Sequence, residues 1–273
     1  MFKLYKEAFK TTNDSIILAT PLILFMWLLS AYIAFTKPAI TTLPPAILSF
    51  VTTVLMVAAF SAGWFYIVKK SIKLSKQVFI LDTDRSKATF NLLKMMPSGV
   101  GKFFLSFVGM ILIGLTIMTV LGILVFKLGM ILIGSLNLDP AQIKNVMSSA
   151  NDMKAFLDTL TLEQLIKLNN WNLLLLGTTS IISFLFMLWI PEVIYKTRNP
   201  IVALWKACVK IFQKPWKAFK LFLFISVTNI ILSFTSTFAM SNALIYFIML
   251  VIYFYFVVYV VVLVFSYYEK EFE

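Results

Sequence analysis

Apolar runs of about 20 residues alternate with short polar segments along the whole chain, and each run is long enough to cross a hydrocarbon layer of roughly 30 Å as a helix. The pattern predicts six spans, at about 15–36, 46–68, 103–126, 171–190, 218–239 and 244–267. Asn13 and Asp14 read as the N-cap of the first, Thr36-Lys37-Pro38 closes it, and Met240-Ser241-Asn242 turns the fifth into the sixth. The apolar stretch 128–138 beyond Lys127 is too short to cross again, so it prolongs the third helix or lies at the interface. Residues 139–170 form the longest polar region and predict an outer cap of two or three short helices, with Asp139-Pro140 as a helix start and Thr161 with Gln164 as a capping box. Near the N-terminus, the charge-free run from Ser15 to Thr36 exceeds a signal-peptide core and reads as a retained span.

Composition narrows the solvent. Hydrophobic residues make up 60% and charged residues 13%, with a mean hydropathy of +0.92. A soluble domain of 273 residues has too much surface to cover with so little polar material. The expected class is all-α: one polytopic membrane helix bundle over residues 1–273, its six transmembrane helices arranged as three hairpins, each preceded by a basic interfacial helix.

The net charge of +12 does not point to nucleic acid, because of 24 basic residues only Arg85 and Arg198 are arginine and neither sits in a reading motif. Its distribution points to orientation instead. Nineteen basic residues fall in the N-terminal segment, the loops 69–102 and 196–220 and the C-terminal tail, against five elsewhere, Lys37, Lys127, Lys144, Lys154 and Lys167. Cations stay with the cytoplasmic side, which places both termini there. Trp64, Trp171, Trp189, Trp205 and Trp216 fall near expected span ends, where amphipathic rings favour the headgroup layer.

Leu4-Tyr5-Lys6-Glu7-Ala8-Phe9-Lys10 is similar in register to Leu204-Trp205-Lys206-Ala207-Cys208-Val209-Lys210, and Phe90-Asn91-Leu92-Leu93-Lys94 is a looser third copy. Each precedes a span, so the chain reads as three duplicated units. Lys6 and Lys10, Lys87 and Lys94, and Lys206, Lys210 and Lys214 recur at helical spacing, which makes them candidate contacts for anionic lipid headgroups. The alternative is that these helices only pack against loops.

The stretch Trp189-Ile190-Pro191-Glu192-Val193-Ile194-Tyr195, followed by Asn199-Pro200-Ile201-Val202-Ala203-Leu204-Trp205-Lys206, resembles a pattern in bacterial six-helix membrane families. Those are the membrane domain fused to some glycerophosphodiester phosphodiesterases and the YciC-type inner-membrane proteins. The resemblance implies a bacterial inner-membrane protein; the phosphodiesterase domain itself has no counterpart here.

Histidine is absent and Cys208 is the one cysteine, which removes imidazole-dependent catalysis, His or Cys metal clusters and internal disulfides. No cofactor is expected. Charged residues are missing from the expected span centres, which disfavours proton-coupled transport. Inside the fourth and fifth spans, Thr179, Ser183 and Asn229 form a candidate polar patch, read either as a grip on a headgroup or solute or as interhelical packing. Pro191-Glu192 reads as a helix stop or as a hinge carrying a carboxylate. Two functions follow as expectations: a non-catalytic membrane protein that organises lipids or partner membrane proteins, or a transporter or channel for an uncharged or amphiphilic solute.

Overall fold

A computed structural model describes residues 1–77, 82–136, 156, 158–239 and 242–273, without the side chains at 39, 82–86, 237–239 and 243. Among the described residues the chain is helical, with no strand. Ten α-helices follow in order: α1 (Phe2–Asp14), α2 (Ala19–Thr36), α3 (Leu43–Ser75), α4 (Asp82–Lys94), α5 (Met96–Leu132), α6 (Leu162–Phe186), α7 (Trp189–Tyr195), α8 (Pro200–Gln213), α9 (Pro215–Ala239) and α10 (Ala243–Phe272). Among the described residues, six segments are long and apolar enough to cross a bilayer: Ile16–Thr36, Leu43–Ser75, Met96–Leu132, Leu162–Tyr195, Pro215–Ser236 and Leu244–Phe272.

Several boundaries differ from the apolar pattern, each for a local reason. Asn13 and Asp14 do not cap the first span; they end α1, and the corner falls at Ser15 (φ −128°, ψ 33°) before a 3-10 turn at Ile16–Leu18. Asn13 is engaged elsewhere, since its Oδ1 accepts from the Tyr255 hydroxyl at 2.5 Å. Helix α3 continues past Val68 to Ser75, because lysines tolerate a helix that has left the apolar layer. Helix α5 runs through Lys127 to Leu132 and stops where Gly134 adopts φ +84° and donates its N–H to Gly129 O at 3.1 Å.

The fourth span starts early. Helix α6 begins at Leu162, where Thr161 N–H donates to Gln164 Oε1 at 3.0 Å and Gln164 N–H donates back to Thr161 Oγ1 at 3.3 Å, the expected capping box. The last residues of the expected outer cap are therefore part of one long helix, while its Asp139-Pro140 start lies outside the described residues. Asn242 caps α10 by accepting from the N–H groups of Leu244 and Ile245.

The chain divides into two compact units, Met1–Ile113 with Leu185–Glu273, and Gly114–Phe184. In the first, the C-terminal half of α10 is the core: Val262, Leu263, Phe265, Tyr267 and Tyr268 are buried. Helix α1 lies along it, with Phe9 edge-on to Tyr255 and Tyr259, and Tyr5 stacked on Phe224 of α9 at 4.4 Å. Phe65 of α3 stacks between Phe107 of α5 and Phe265 of α10, at 5.7 and 5.9 Å.

Helix α3 meets α5 at two glycines. A Cβ on Gly99 would stand 2.9 Å from Ala62 O and 3.0 Å from Gly63 Cα, so only hydrogen fits where the backbones touch. In the second unit, the Trp171 ring lies over Gly129, where an added Cβ would come within 2.2 Å of it, and its Nε1–H donates to Gly134 O at 3.2 Å.

Candidate functional site

The sequence concentrates cations at one end of the first unit, and the structure sorts them into those turned inward and those left outward. The inward set is built around Glu192. Helix α6 breaks after Phe186 and restarts as α7 at Trp189, so the break precedes Pro191. Pro191 then occupies the first turn of α7, where a missing N–H removes no helical bond. Trp189 Nε1–H donates to Pro200 O at 2.8 Å and folds the loop back against the start of α8. That folding buries Glu192 completely.

Its carboxylate is held by two groups from distant elements. Lys210 Nζ of α8 donates to Oε2 at 2.5 Å, the Tyr268 hydroxyl of α10 donates to the same oxygen at 2.5 Å, and Lys210 also donates to that hydroxyl. The side chain of Glu192 is 1% exposed and that of Lys210 17%, so the carboxylate is sealed while the lysine stays partly accessible. The other carboxylate oxygen, Oε1, is buried with no donor among the described residues. Tyr268 stacks at a tilt on Tyr195, 5.3 Å between centroids, and Lys69 Nζ stands 4.2 Å over the Tyr195 ring while donating to Ile194 O at 2.9 Å, near the α7 C-terminus. A buried ion pair that loses one member typically costs about 3–5 kcal/mol, because the other is left uncompensated.

Around this triangle lie more exposed pairs. Lys214 and Lys217 both donate to the Glu271 carboxylate, at 2.7 and 2.9 Å, and Lys76 pairs with Glu269 at 2.8 Å. Together they tie α3, α8 and α9 to the end of α10, so the C-terminal helix is gripped from three sides. Exposed pairs of this kind contribute about 0–1 kcal/mol each.

The outward set comprises Lys6 and Lys10 on α1, Lys87 and Lys94 on α4, and Lys206 on α8, all exposed. The helical spacing of Lys206, Lys210 and Lys214 is thus real but the three do not share an environment: the first faces out and the other two are drawn onto carboxylates. Helix α8 buries the narrow stripe Ala203, Ala207 and Ile211, and leaves Trp205 and Phe212 exposed.

The intramembrane candidates sit differently. Thr179 donates to Leu175 O at 2.8 Å within its own helix, as Thr228 does to Phe224 O at 2.8 Å, so both hydroxyls are satisfied locally. Thr179 and Ser183 lie on exposed positions of α6, and Asn229 on an exposed position of α9. Burial pushes the Cys208 thiol up from its ordinary range, away from the reactive thiolate.

Sequence periodicity missed the Glu192 triangle because its partners are 18 and 76 residues away. The available signal was a lone acid two residues beyond the expected end of a span, in a segment rich in lysine.

Protein buries 33% of the most apolar window of the sixth segment and only 6–11% of the other five, leaving wide apolar faces that water does not suit. The chain is a multi-pass membrane protein. Compared with known proteins, it matches no family profile, no curated protein and no solved structure.

Proposed function

We propose that this is a non-catalytic protein of the bacterial cytoplasmic membrane, arranged as three hairpins with both termini in the cytoplasm, that organises anionic lipids and partner membrane proteins through α1, α4 and α8. The outward face of α8 carries the reading. Trp205 is 72% exposed, Phe212 70% and Trp216 just beyond the helix 77%, beside the exposed Lys206. In water such rings would be a liability; in a headgroup layer the rings enter the acyl boundary and the lysine meets phosphate, at about 1 kcal/mol per cation. Helix α1 offers the same combination, with Phe2 and Phe9 exposed beside Lys6 and Lys10, and α4 offers Phe90 beside Lys87 and Lys94.

The sealed carboxylate supports the non-catalytic part of this reading, since Glu192 spends its accepting oxygen on Lys210 and Tyr268 and is out of reach of substrate. The likeness of residues 189–206 to six-helix bacterial membrane families supports the location.

Reconstitution into vesicles holding brominated phosphatidylglycerol or brominated phosphatidylcholine tests it through tryptophan fluorescence. The expected result is stronger quenching by the anionic lipid, with the difference abolished by Lys6→Glu, Lys10→Glu and Lys206→Glu together. Equal quenching by both lipids, unaltered by those substitutions, refutes the proposal.

A further inference from the structure

A groove of about 680 Å³ in the first unit runs between α5 and the loop that enters α8, lined by Lys102, Phe104, Leu105, Arg198 and Pro200. Its walls are pinned. Ser106 Oγ donates to Arg198 O at 2.6 Å, and Gly109 lies so close to the Pro200 ring that an added Cβ would stand 2.8 Å from it.

Two cations hang over this groove from aromatic supports: Lys102 Nζ is 5.3 Å from the Tyr66 centroid and the Arg198 guanidinium 5.8 Å from that of Phe103. Lys70 reaches the same Tyr66 ring at 5.6 Å but does not line the groove. Among the described residues none of the three is ion-paired, in contrast to Lys76, Lys210, Lys214 and Lys217 at the same end of the unit. Both Lys102 and Arg198 are exposed, so their charge is open to a ligand. The start of α8 adds nothing to this, because the Asn199 side chain already accepts from the N–H groups of Ile201 and Val202.

We infer that this groove is a binding site for one anionic phospholipid, its phosphate held by Lys102 and Arg198 and its acyl chain running past Leu105 along α5. Charge complementarity selects an anion, and the planar guanidinium suits a phosphate better than a point charge alone. The apolar wall selects a lipid over free phosphate: Leu105 is 81% exposed on a helix that belongs to a membrane-crossing segment, directly adjoining the cations. This site is a discrete one, distinct from the diffuse lysine surfaces of α1, α4 and α8, and it extends the proposed lipid role without resting on them.

Native mass spectrometry of the full chain in detergent, titrated with phosphatidylglycerol, phosphatidylcholine or inorganic phosphate, tests it. One phosphatidylglycerol per chain is expected to survive gas-phase release in preference to phosphatidylcholine, weakened at least about tenfold in Lys102→Gln with Arg198→Gln and unchanged in Lys37→Gln, an exposed lysine away from the groove. Both substituted residues are surface-exposed, and an unchanged melting temperature shows that the variant is folded. Retention that is equal for the two lipids, that survives loss of both cations, or that millimolar phosphate displaces without any lipid preference overturns the inference. A positive result here with no vesicle preference in the quenching experiment would separate this site from the broader proposal.

Discussion

Glu192 is the residue at which local chemistry and global fold meet. Its carboxylate joins α7, α8 and α10, so Glu192→Gln and Lys210→Met should each destabilise the folded protein by about 3–5 kcal/mol in detergent unfolding experiments. The combined substitution Glu192→Leu with Lys210→Met should cost less than the sum, because it removes both desolvated charges at once. Strictly additive losses would show that the two side chains act independently. Cys208 gives a second test at this scale. Its raised thiol pKa means the folded state holds the proton more tightly than the unfolded chain, so any stabilisation is present at neutral pH and lost as pH rises through the folded value. Maleimide labelling at neutral pH should therefore be slower in the folded protein than after denaturation, and should accelerate on raising the pH. These residues were poorly legible beforehand. The capping box at Thr161 and Gln164 could be read because both halves sit within one turn, whereas Glu192, Lys210 and Tyr268 come together only through the fold.

At the scale of elements, the apolar runs located the six helices that, among the described residues, are long and apolar enough to cross a membrane, but not their ends. Ends were displaced where helix outlasts hydrophobicity: α3 carries Lys69, Lys70 and Lys73 in its last turns, and α6 gathers Glu163 and Lys167 into its first, where they pair at 2.7 Å. Hydropathy senses the bilayer, while helix propensity and capping set the boundary. Helix crossings were also hidden, since a glycine in an apolar run gives no sign of what it touches. Gly99→Leu should destabilise by at least about 1–3 kcal/mol by forcing α5 off α3, whereas Gly122→Leu, on the same helix with nothing within 4 Å of an added Cβ, should be close to neutral. Thermal unfolding of the two variants in one detergent compares them directly, and equal effects would contradict the backbone contact described at Gly63 and Gly99.

For the whole molecule, the governing fact is the mismatch between apolar surface and protein packing. Among the described residues of the first unit, the C-terminal half of α10 and its neighbours form a dense core, and lysines, carboxylates and aromatic rings collect around it. Some of these lysines are ion-pair partners in the folded protein, and others form the outward surface from which a headgroup contact is proposed. Sidedness is the central claim. It is measured by introducing Lys94→Cys, Lys206→Cys, Lys37→Cys and Lys167→Cys one at a time in a Cys208→Ala background and treating intact cells with a membrane-impermeant maleimide. The account predicts that positions 37 and 167 label at once while 94 and 206 label only after permeabilisation; all four labelling from the same side would contradict it.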